Sequence, residues 1–96
     1  MDLNITINDK KEIVKGYMVT FPEYPGFKFF THCDQSGSYR YWHASEFTTG
    51  LKCAGTQQPG TKKEVIAKLK ENINRIGIEE LQKSINMGIE KYGIAN

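Results

Sequence analysis

The sequence is short of most features that would classify it quickly. Its 96 residues include two cysteines, three prolines, one tryptophan and two histidines, and the net charge is +2. Two cysteines, Cys33 and Cys53, are too few to staple a secreted scaffold, so they are expected as reduced, partly buried thiols in a cytoplasmic protein. No window approaches the roughly 18 consecutive apolar residues of a membrane span, so no membrane association is expected. The N-terminal MDLNITINDKKEIVKG lacks an apolar h-region and carries Asp2 and Asp9, which argues against a signal peptide. Thirteen Lys and Arg stand against eleven Asp and Glu. Dedicated DNA binders usually carry a stronger basic excess, so charge permits a nucleic-acid partner without arguing for one.

Chemical motifs are equally scarce. His32, Cys33, His43 and Cys53 follow the spacing H-C-x9-H-x9-C, which matches no pattern of paired zinc ligands. Adjacent strand residues such as His32 and Cys33 point to opposite faces, so both do not easily reach one ion. A Cys–His nucleophile needs thiol, imidazole and orienting acid in one pocket, and small meanders seldom offer such a pocket. GTQQPGTKK at 55–63 places glycines before a helix start, where free N–H groups attract anions. It lacks G-x-x-x-x-G-K-[ST] and reads as a connector. The expectation is a protein that is no enzyme and has no cofactor and no metal.

What is present is a change of period along a chain long enough for a single domain over 1–96. Leu3, Ile5 and Ile7 alternate with polar residues, giving a first short strand, and NDKK at 8–11 is a polar turn. Ile13 to Phe21 is β-branched and aromatic, with Tyr17, Val19 and Phe21 on one face; Pro22 and Pro25-Gly26 end it. Phe27 to Asp34 forms the next strand, DQSGS at 34–38 turns, and Tyr39 to about Phe47 returns. After Leu51 the spacing becomes helical. Thr61 and Glu64 form a capping box, each side chain reaching the other's backbone N–H. Val65, Leu69, Ile73 and Ile76 make an apolar stripe, Gly77 stops the helix as a left-handed cap, and Ile78 packs back on the last turn. Leu81, Ile85, Ile89 and Tyr92 line a second helix, stopped by Gly93. The predicted fold class is α+β: a three- to four-stranded antiparallel meander followed by two C-terminal amphipathic helices. The only linker-like stretch is GTQQPG at 55–60.

The hairpin around Gly37 supplies the candidate site. If Phe27, Phe29 and Cys33 face the helix opposite Trp42 and Ala44, then Lys28, Phe30, His32, Tyr39, Tyr41 and His43 share the other face. Aromatic and cationic side chains mixed in this way make a stacking or protein-binding platform. Left uncovered, the face would be an apolar patch of the kind a symmetric homodimer buries.

Two resemblances accompany these residues. Three strands, a turn and GTKKEVIAKL from Gly60 to Leu69 resemble the arm-binding N-terminal domain of tyrosine integrases over about residues 27–77. That likeness implies a sheet that reads DNA with a helix packed behind it. Here the strands are aromatic rather than Lys/Arg-rich, and Glu46 stands where a phosphate contact would be wanted. Trp42, Thr49-Gly50-Leu51 and Thr61-Lys62-Lys63-Glu64 also look like small accessory proteins of phages and mobile elements. This second likeness implies a stand-alone module binding a host or phage protein, with inhibition of a host defence system among its roles. NRIGIEEL invites a helix-turn-helix reading, but Glu79 and Glu80 would open the recognition helix with the wrong charge. The leading expectation is a non-enzymatic protein-binding module. Its alternative is a DNA-binding accessory protein using the sheet face, with Lys28, Arg40, Lys62 and Lys63 near phosphates.

Overall fold

The computed structural model describes residues 1–56 and 58–96. Gln57, within the expected linker, lies outside the described residues. The chain runs β1 (Asp2–Ile7), β2 (Lys10–Lys15), β3 (Tyr17–Val19), β4 (Phe29–Ser36), β5 (Tyr39–Glu46), β6 (Lys52–Gly55), α1 (Lys62–Ile76) and α2 (Ile78–Tyr92). Strands β3-β4-β5-β6 form one antiparallel sheet in sequential order, and β1 with β2 forms a separate hairpin. The α+β meander with two C-terminal helices is therefore present.

The hairpin turn is tighter than the expected NDKK. Asn8 and Asp9 both take positive φ, at 49° and 67°, and Ile7 pairs directly with Lys10, so the turn has the two-residue form that matches strand twist. The expected strand from Ile13 to Phe21 is broken at Gly16. A Cβ there would lie 2.6 Å from Leu3 Cδ1 and 3.0 Å from the Phe30 ring, so any larger residue would have to displace these buried side chains where the chain crosses between hairpin and sheet. The sheet has four strands, and its last, β6 at Lys52–Gly55, falls where no strand was expected.

One face of the sheet carries α1. Val65, Leu69 and Ile73 join Val19, Phe21, Phe29, Ala44 and Ala54 in the main core, completed by Leu81 and Ile85 of α2. The Asn72 side chain donates to the Cys53 carbonyl at 3.0 Å, tying α1 to β6. Thr61 caps α1 by accepting from the Glu64 N–H at 3.2 Å. The reciprocal half differs from expectation, since the Glu64 carboxylate accepts from the Thr61 hydroxyl. Two further expectations fail at the α1–α2 junction. Ile76 and Ile78 are each 44% exposed, because the apolar stripe has rotated off the sheet by the helix's last turn. Gly77 sits at φ 86°, ψ 157°, an extended positive-φ conformation rather than the left-handed helical one.

The opposite face is covered by the β1–β2 hairpin. Leu3 and Ile5 bury Phe30, with Val14 and Phe47 packed around them. The outer edge of β1 rests on the β5–β6 loop, where Thr6 N–H donates to the Gly50 carbonyl at 2.9 Å. Gly50 has φ 69°, and a Cβ there would lie 2.7 Å from the Asn4 carbonyl oxygen. The loop itself is wound around Glu46, a buried carboxylate that accepts from Thr48 N, Thr49 N and Thr49 Oγ1 at 2.7–2.9 Å. Glu46 is thus a structural anchor turned inward. No helix among the described residues is long and apolar enough to cross a membrane.

Candidate functional site

Register decides which side chains meet. Phe30 pairs with Ser45, His32 with His43, Asp34 with Tyr41 and Ser36 with Tyr39, while Thr31 pairs with Ala44 and Cys33 with Trp42. Directly paired residues share a face and alternate along the strand. Phe30, His32, Tyr39, Tyr41 and His43 are therefore cofacial, opposite the helix-facing Phe29, Ala44 and Trp42.

That face is not the open platform expected. Phe30 is fully buried and His32 is 5% exposed, because the N-terminal hairpin lies over them. Tyr41 and His43 are half-buried, and only Tyr39, at 60%, stands clear. Lys28 lies at the Phe30 end, beside Phe47, which packs with Phe30. It precedes β4, at the end remote from the Tyr39 turn, with its Nζ 5.8 Å from the Phe47 ring. A strand of this length separates the two ends by roughly 25 Å.

Between hairpin and sheet a cleft of about 360 Å³ remains, lined by Thr6, Glu12, His32, Asp34, His43 and Lys52 among others. The two imidazoles stack at 5.2 Å between centroids and 28° between planes. His43 Nε2 lies 3.0 Å from Asp34 Oδ2; a carboxylate only accepts, so this nitrogen carries the proton. His32 Nε2 lies 3.3 Å from Ser45 Oγ. Both Nδ1 atoms are buried without a partner among the described residues. Burial, then repulsion from His43, pushes the His32 imidazole down to about 4, while Asp34 acts in the opposite direction. Asp34 thus orients His43, whereas the serine lies on His32, and Ser45 is itself buried. The thiols are elsewhere. Cys33 and Cys53 are free and half-buried, and burial, then the Glu46 charge, pushes Cys53 up to about 11. Among the described residues no three His, Cys, Asp or Glu side chains converge as a metal site.

A second cluster lies on the helix side, beyond the start of α1. Tyr17, 53% exposed, has its ring 6.3 Å from Trp42 at 49°. Lys62, the first residue of α1, sets its Nζ 4.0 Å over the Tyr17 ring. Lys15, Tyr17, Cys33, Arg40 and Trp42 bound a concavity of about 250 Å³. Lys15 is paired with Asp2. The Arg40 guanidinium has no ion-pair partner among the described residues. Trp42 was expected on the helix-facing side and lies there, and Tyr17 was expected to share a face with Val19 and Phe21, which belong to the main core. Helix α1 meets this edge at its first residue, Lys62, whose Nζ lies over the Tyr17 ring, and Trp42 is half-buried against the main core; the lone tryptophan on an alternating strand was the signal available.

No protein-family model matches the chain, and no curated protein or solved structure matches it either.

Proposed function

We propose that this chain is a non-enzymatic interaction module that binds a protein through the Tyr17–Trp42 surface. The observation that carries this reading is the Tyr17–Trp42–Lys62 cluster, an exposed tyrosine with a half-buried indole and a half-buried lysine beside it at the start of α1. Tyr, Trp and Arg are the residues in which binding energy concentrates at protein interfaces, and Arg40 adjoins them. The cleft supports the non-enzymatic half of the proposal. A His32 held neutral to about pH 4 is a weak base, and its serine is buried. No cofactor enters the proposal. The partner we envisage is a host or phage protein, with inhibition of a host defence system as the role suggested by the likeness to phage accessory proteins.

Site-specific photo-crosslinking tests the surface. A benzoylphenylalanine at position 17 should trap a protein in the native cell, and the same group at position 39 should not. Failure to trap anything at position 17 overturns the proposal. Arg40 and Lys62 beside aromatic rings also favour a second reading, nucleic-acid binding by stacking and phosphate contact. That reading requires affinity falling steeply with salt, because each neutralised phosphate releases counterion. A shallow slope rejects it.

A further inference from the structure

We infer that the concavity between Tyr17, Arg40 and Trp42 takes a carboxylate side chain from an acidic segment of the partner, an inference that rests on the interaction surface proposed above. The charges at this site are unequal in availability. Lys15 is already neutralised by Asp2, and Lys62 lies against the Tyr17 face. Arg40 is exposed and unpaired among the described residues. It stands two residues before Trp42 along β5, so the guanidinium and the indole rise from the same face. A carboxylate bound bidentately to Arg40 satisfies the planar fork, and the methylenes behind it lie against the Trp42 and Tyr17 rings.

Charge placement favours a polypeptide over a polynucleotide. Single strands are held by a cationic groove that tracks successive phosphates. Here Lys15 is paired with Asp2 and Lys62 lies over the Tyr17 ring, so the described residues offer one unpaired guanidinium at the concavity rather than a row of cations. At about 250 Å³ the concavity has room for a side chain, not for an extended track.

Trp42 is the only tryptophan, so its emission reports the site directly. The intact protein would be titrated with a hexaglutamate peptide, using hexalysine and a dT10 oligonucleotide as comparators, at about 20 mM salt to limit screening. Hexaglutamate should change the emission saturably and hexalysine should not. Arg40→Ala should weaken the response about tenfold or more, the loss expected for a charge-assisted hydrogen-bonded pair. Arg40→Lys should restore little of it, and Lys28→Ala should bind as the parent does. Circular dichroism of each variant confirms the fold. No saturable response to hexaglutamate, or an Arg40→Ala response equal to the parent's, overturns the inference, as does tighter binding of dT10. If position 17 nonetheless crosslinks to protein, the interaction surface stands and only its carboxylate chemistry falls.

Discussion

Protonating His32 would place a cation beneath the β1–β2 hairpin, beside the half-buried His43 ring and within reach of Lys52, with Asp34 acting against the shift. The fold therefore holds this imidazole neutral, with its affinity for protons lowered from the ordinary 6.5 to about 4. In the unfolded chain the residue protonates near 6.5, so between these values the unfolded state binds more protons and stability rises with pH. This contribution is complete above pH 6.5, fades as pH falls through the window, and is gone below about 4. Solvent at the mouth of the cleft screens the charge, which puts the effect at about 1–2 kcal/mol. Denaturant midpoints of the parent and His32→Gln should converge as pH falls from 7 to 4, because the variant lacks the titration. Parallel curves would show that His32 does not couple protonation to folding. The sequence placed the two histidines on one face, as the register bears out, but neither their stacking nor the burial of His32 was legible. Their stacking depends on β4–β5 register, and their burial depends on a hairpin that returns from elsewhere in the chain.

At the scale of the element, α1 was the most legible part of the sequence, because a cap and a helical stripe are both local. Leu69 is fully buried and Lys68 is exposed. Leu69→Ala should cost about 2–5 kcal/mol, Thr61→Ala about 1 kcal/mol through loss of the cap, and Lys68→Ala less than about 0.5 kcal/mol. Ile76 belongs with Lys68 in this order, not with Leu69, since the end of the helix lifts it into solvent. Thermal or denaturant unfolding of the four variants checks the ranking, and an Ile76→Ala cost equal to that of Leu69→Ala would reject this packing. Strand β6 was harder to read. Lys52–Gly55 is too short to show alternation, and its identity as a strand comes from pairing with β5. The break at Gly16 was hidden for a similar reason, because β-branched and aromatic residues continue on both sides while the constraint is contact with Leu3 and Phe30.

At the scale of the whole molecule, the platform imagined as open is closed by the chain's own N-terminus, which removes the apolar patch that had argued for a homodimer. The hairpin is held from its far side by the last residues. Asn96 Oδ1 accepts from the Asn4 N–H at 2.8 Å, and Asn96 Nδ2 donates to the Asn4 and Phe47 carbonyls at 2.9 and 2.7 Å. Asn4 Nδ2 donates in turn to the Ala95 carbonyl at 3.0 Å, and Ala95 N–H donates to the Thr48 carbonyl at 2.7 Å. A side-chain amide thus stands in for a neighbouring strand at the outer edge of β1, bridging it to the loop wound around Glu46. Asn96→Ala removes three of these bonds and leaves part-buried backbone groups unpaired, which should cost about 1–3 kcal/mol. The loss should be regional, because Phe47 packs on the cluster of Leu3, Ile5 and Phe30, whereas Leu69 and Ile73 lie in the main core. Amide hydrogen exchange should therefore speed up in β1 and at Thr6 while remaining slow at Leu69 and Ile73. Uniform acceleration across both regions would mean that hairpin and core open together and that the C-terminal bridge is not what holds the N-terminal layer down.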